Sequence, residues 1–190
     1  MSLFTINRLA KFVGVSVLVG GLFHAGNSAA SELKGCYSVI DGGISDASAS
    51  HDQTIGTYHL QLKQVNKTKS TKTVTKIKLA GPVSGLEDEH EEGGMELEVH
   101  GSHVFGTNDR SGVLQTEEDI FVVTGVNEFN SRGIPCSVSA IEIFRFNSGT
   151  GKFSGLVSGE VTFDATTDAC TDPTNQVIDH VVSGGELCFQ

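Results

Sequence analysis

What most constrains this chain is a period of two. Past residue 30 no stretch sustains a helical apolar repeat over three turns, whereas alternation of apolar and polar residues recurs throughout, as in strands with one face turned to a core. The clearest run covers residues 153–163. There Phe153, Gly155, Val157, Gly159, Val161 and Phe163 share one face, and Ser154, Leu156, Ser158, Glu160 and Thr162 share the other. Glycines inside such a strand point to tight curvature or to close approach by another backbone, as where a sheet bends to close.

Tyr58, Leu60 and Leu62 alternate with His59, Gln61 and Lys63, and a polar turn over residues 66–70 leads into a second run over 73–80. That pattern is a hairpin. Further strands are expected over residues 35–40, 95–100, 112–115, 120–127, 138–146 and 177–189, separated by turn-rich spacers at 41–52, 81–94, 106–111, 130–135, 147–151 and 164–175. Eight or nine short strands without intervening helices imply an all-β fold: a single antiparallel up-and-down β-barrel of about eight strands, with a β-sandwich as the alternative.

The first 30 residues read differently. Arg8 and Lys11 precede an apolar stretch from Phe12 to Phe23, and small residues follow at Ser28, Ala29 and Ala30. This is the layout of a cleavable signal peptide, cut after Ala30 or, alternatively, after Ala29. The apolar stretch is too short to span a bilayer, and the remainder offers no second candidate. Residues 31–190 then form one β domain. A lipoprotein-type cleavage before Cys36 is disfavoured by Lys34 and by the distance from the apolar stretch. The expected location is therefore the periplasm or the medium of a bacterium.

All four cysteines, Cys36, Cys136, Cys170 and Cys188, fall in the exported part, and none has the C-x-x-C spacing of zinc knuckles or redox motifs. They are expected to form two disulfides. In an up-and-down barrel the first strand closes antiparallel against the last, which brings Cys36 toward Cys188. A hairpin turning at 147–151 sets Cys136 beside the loop that carries Cys170.

The chain holds 13 basic against 23 acidic residues, a formal net charge of −10, and the leader removes two of the basic ones. Such acidity argues against a nucleic-acid or anionic-membrane partner. A small ligand or a protein partner remains open. Charge is also segregated: Lys63, Lys67, Lys69, Lys72, Lys76 and Lys78 crowd one hairpin, and Glu87, Asp88, Glu89, Glu91, Glu92, Glu96 and Glu98 follow. The simplest reading is two solvated faces of opposite sign.

Three constellations bear on chemistry. Glu96, Glu98 and His100 would share a strand face, near His103, and could hold a divalent cation; a half-exposed strand beside an acidic loop looks the same. Asp164, Asp168 and Asp172 around Cys170 lack the ligand order of an EF-hand and suit turn residues better. Nucleophile elbows, His-Glu-x-x-His zinc sites and phosphate-cradling glycine loops are all missing. No catalytic, cofactor-binding or metal-ligating residue is therefore assigned, and no cofactor is expected.

The function class expected first is an exported, non-enzymatic binding or interaction protein, with ligand contacts from a barrel interior where Tyr58, Leu60 and Leu62 are candidate lining residues. A structural, surface-interaction protein and an enzyme with a dispersed site are the alternatives. A buried concavity with converging polar groups favours the first, a filled barrel with a charged surface the second, and carboxylates or histidines of perturbed titration in a cleft the third.

Overall fold

The computed structural model describes residues 32–50, 53–67, 71–87, 98–171 and 176–190, so the leader expected over residues 1–30 lies outside the described residues. Nine strands follow one another: β1 (Gly35–Ser50), β2 (Gln53–Lys67), β3 (Lys72–Glu87), β4 (Glu98–Gly106), β5 (Gly112–Thr116), β6 (Asp119–Phe129), β7 (Pro135–Gly151), β8 (Leu156–Asp168) and β9 (Val177–Phe189). Every pairing is antiparallel. Strand β1 pairs with β2 on one side and with β9 on the other, and β3 pairs with β4, so one sheet closes on itself. That closure selects the up-and-down barrel over the sandwich.

Nine strands occupy eight positions in the ring. Strands β5 and β6 share one place between β4 and β7: residues 113–115 pair with 104–106, and residues 119–122 pair with 98–101. The break falls at Glu117 and Glu118, where Glu118 adopts φ 57°. Asp119 bridges the gap, its Oδ1 accepting a hydrogen bond of 2.7 Å from the Arg145 amide of β7. A side chain thereby stands in for a missing ladder bond.

Several strands outrun their expected limits. β1 continues through 41–50, β3 to Glu87 and β7 to Gly151, so the turn expected at 147–151 falls instead at 152–155. The physical reason is that barrel strands run obliquely and must be long, while their outward positions accept the Ser, Gly, Asp and Thr that also make turns. The face expected for 153–163 needs correcting too. Phe153 enters the core from the turn, and Val157 is 56% exposed because the β8–β9 register shifts between Leu156 and Ser158.

Inward positions of the apolar half are filled. Phe105, Phe144 and Phe163 meet edge to face at 5.0 to 5.7 Å, and Tyr58 stands perpendicular to Phe105 at 5.2 Å. Tyr58, Leu60 and Leu62 belong to this packed cluster rather than to the wall of an open cup. Gly159 leaves no room near the axis either: a Cβ there would stand 2.4 Å from Leu187 Cδ2 and 3.0 Å from Phe146 Cβ, so those side chains already use the space.

Cys36 is bonded to Cys188 and Cys136 to Cys170, the pairing that the up-and-down topology requires. The first pair joins strands already in register, at the end of the barrel that also carries the 107–111 and 152–155 turns. The second ties the start of β7 to the segment after β8, at the opposite end.

Candidate functional site

Toward the Cys136–Cys170 end, inward positions change from apolar to polar in strand after strand. Asp46 follows Ile44 on β1, Thr54 precedes Tyr58 on β2, His103 precedes Phe105 on β4, Glu142 precedes Phe144 on β7, and His180 precedes Val182 on β9. Alternation sends each polar side chain inward with its apolar neighbour. The register brings them together: Ile44 and Ala165 flank His180, Thr54 is opposite Gly85, and Gly85 is opposite His103. Asp46, Thr54, Asp119, Glu142 and His180 are all at most 6% exposed.

Two imidazole–carboxylate pairs organise the layer. His103 Nδ1 lies 2.8 Å from Asp119 Oδ2, and Thr116 donates its hydroxyl to that same oxygen while accepting the His103 amide at 2.7 Å. On the other side His180 Nε2 is hydrogen-bonded to Glu142 Oε2, and its Nδ1 faces Asp46 Oδ1 at 3.9 Å. That second separation is too long for a hydrogen bond. Among the described residues, Asp46 Oδ1, Thr54 Oγ1, His180 Nδ1 and Tyr58 Oη are buried without a hydrogen-bond partner.

Electrostatics reflect this enclosure. Burial raises the Asp46 carboxyl above the usual range, against the opposing pull of His180. For His180 burial acts downward, but the hydrogen bond and charge of Glu142, reinforced by Asp46, outweigh it and raise the imidazole above its ordinary value.

Gly85 lies between Thr54 and His103 in the register. A Cβ at this position would stand 2.5 Å from His103 Nε2 and 2.6 Å from Thr54 Oγ1. The Thr54 and His103 side chains therefore already use the space over its bare backbone.

The residues singled out in the sequence fare differently. His103 does point inward, but His100 is exposed, and residues 88–97, with Glu96, lie outside the described residues. Asp164 and Asp168 are exposed, Asp168 Oδ1 accepting the Cys170 amide at 2.8 Å as a turn aspartate does; Asp172 lies outside the described residues. Among the described residues, the group whose metal-capable donor atoms all lie within 4.8 Å of one another is Cys36, Glu186 and Cys188, and both cysteines are spent in the disulfide. Asp46, Asp119, Glu142 and His180 escaped sequence reasoning. Their signal was parity: Glu142 shares a face with Phe144 and Phe146, and Asp46 shares one with Ile44.

At the other end, an open cleft of about 350 Å³ is bordered by Pro82, Thr107, Arg110 and Thr150. Its polar groups serve the turn itself. Thr107 Oγ1 donates to Gly112 O and accepts from Gly112 N, and Asp109 accepts from the amide and hydroxyl of Ser111, which hold its carboxyl well below the usual range.

Fold and site together define a closed antiparallel β-barrel with a packed aromatic half and a charged, histidine-containing layer inside the other. No protein-family model, no curated protein and no solved structure matches this chain.

Proposed function

We propose that this is an exported, non-enzymatic binding protein whose ligand is taken into the polar layer around Asp46, Thr54 and His180. The observation that carries the reading is the set of buried, unpartnered atoms on these three residues. Leaving a buried polar group unsatisfied costs roughly 1–3 kcal/mol. A bound molecule that completes them recovers that cost. With Asp46, Glu142 and Asp119 set against two imidazoles, the layer favours a small cation or a compact donor-rich molecule. Two disulfides suit an oxidising compartment, which agrees with export through the leader read over residues 1–30 into a bacterial periplasm or medium.

Thermal unfolding of the exported protein with a panel of small amines, polyols and divalent cations provides the test, with Asp46→Asn as comparison. A true ligand at 100 times its Kd stabilises the native chain by about 2.7 kcal/mol and the variant far less. If every compound shifts both proteins equally, the interior-site reading fails.

A surface-interaction role has one observation in its favour. Lys63 is directly opposite Lys76, with Lys72 and Lys78 close by on the outward face, and like charges in register cost stability. An acidic partner would relieve that repulsion, and a panel without effect would move this reading forward.

A further inference from the structure

We infer that the outer face of β3, β2, β1, β9 and β8 pairs two copies of this chain about a twofold axis lying along β1 at Ser38. The inference rests on the surface-interaction reading above and names its partner; it is independent of the interior layer. Register builds one row across these strands: Lys76 is opposite Lys63, Lys63 opposite Ser38, Ser38 opposite Glu186, and Glu186 opposite Glu160. All five side chains point outward, because Ile77, Leu62, Tyr37, Leu187 and Val161 beside them face the core.

Like charges directly opposite one another destabilise a sheet. This row holds two such pairs, one positive and one negative, on either side of a small neutral residue. Among the described residues, Lys63, Lys76 and Glu186 have no ion-pair partner. Glu160 has Arg145 Nε at 3.8 Å from its Oε2, an exposed contact that solvent screens. An acidic partner alone would relieve the lysine pair and meet Glu160 and Glu186 with like charge. A second copy relieves both pairs at once.

The spacing is self-complementary. Neighbouring strands lie about 4.8 Å apart, so Lys63 and Glu186 stand at equal distances on either side of Ser38, and Lys76 and Glu160 at about twice that distance. A twofold contact is isologous, the same patch meeting itself. Lys63 of one copy therefore lies over Glu186 of the other and Lys76 over Glu160, and each contact occurs twice. Two residues further toward the Cys36–Cys188 end, the same strands present Val74 and Val65, 44% and 41% exposed, then the disulfide and Ser158. The axis that matches opposite charges also sets Val65 of each copy against the disulfide of the other. A convex face of five strands gives a small contact, so the pairing depends on concentration and salt.

Sedimentation velocity of the full exported chain, disulfides intact, over a concentration series tests the pairing. The expected result is a monomer–dimer equilibrium whose Kd weakens at least about tenfold as salt rises from about 0.01 M to about 1 M, which shortens the Debye length from about 30 Å to about 3 Å. Charge reversal separates self-pairing from other readings. Lys63→Glu with Lys76→Glu, and separately Glu160→Lys with Glu186→Lys, each leave the chain monomeric. An equimolar mixture of the two variants forms a one-to-one dimer, because every charged contact between them again joins opposite signs. Arg132→Glu, in the turn between β6 and β7 at the opposite end, leaves dimerisation unchanged. Should a reversed chain fail to fold, carbodiimide coupling of mixed light and isotope-labelled wild-type chains gives the same answer by joining Lys63 of one label to Glu186 of the other. A wild-type chain that stays monomeric at low salt, dimers that survive either reversal, or reversed chains that do not recognise each other overturn the assignment. A monomeric chain that binds polyglutamate through Lys63 and Lys76 also overturns it while leaving the surface-interaction reading in place.

Discussion

Tyr58 shows how one residue can serve the core and still carry an uncompensated group. The residue is 3% exposed, packed against Phe105, yet its hydroxyl has no hydrogen-bond partner among the described residues. Burial, aided by the Asp109 charge, pushes the phenol well above the ordinary tyrosine value. A group whose pKa is raised on folding contributes its full stability below the unfolded value, about 10 for tyrosine, and loses it as pH rises beyond. Tyr58→Phe is therefore expected to be neutral or stabilising by about 1 kcal/mol at neutral pH. Its advantage over wild type grows above about pH 10, the unfolded-state value. Urea unfolding at neutral and alkaline pH checks both parts; a variant that loses its advantage on going alkaline would contradict the assignment.

At the scale of elements, the interrupted strand β5–β6 is the feature most specific to this barrel. Glu118 sits at φ 57°, a conformation that disfavours a side chain, and the strand resumes only because Asp119 turns inward to bind the Arg145 amide. Glu118→Gly is expected to stabilise the chain by about 0.5–1 kcal/mol, and the β-branched Glu118→Val to destabilise it, both read from denaturant midpoints. A glycine that destabilises more than valine would mean that the Glu118 side chain, not its backbone, matters. Most strands were legible from period two, because each needs only one buried face. Their ends were not: residues 41–50 and 81–87 look like turns by composition, and only the partner strand supplies the hydrogen bonds that keep them extended.

For the whole molecule, the two disulfides constrain very different lengths of chain. Cys36–Cys188 spans 152 residues and Cys136–Cys170 spans 34. On the chain-entropy account, removing the first by paired serine substitution should cost about 1 kcal/mol more than removing the second. Comparative thermal unfolding decides it, and equal or reversed losses would show that the ring closure between β1 and β9 is held by its backbone ladder alone.

By itself the sequence determined the all-β class and about eight strand positions, and for a barrel rather than a sandwich it also implied the pairing of the cysteines. These follow from local alternation and from the geometry of closing a meander, which need no knowledge of particular contacts. Only the tertiary structure decided the interior polar layer. Asp46, His103, Asp119, Glu142 and His180 are up to 134 residues apart in the chain and meet because register places them at one level of a closed ring. A polar residue on an apolar face looks like an isolated irregularity in each strand. Closure alone turns five such irregularities into one charged layer, because residues in neighbouring strands reach the same depth only once the shear of the barrel is fixed.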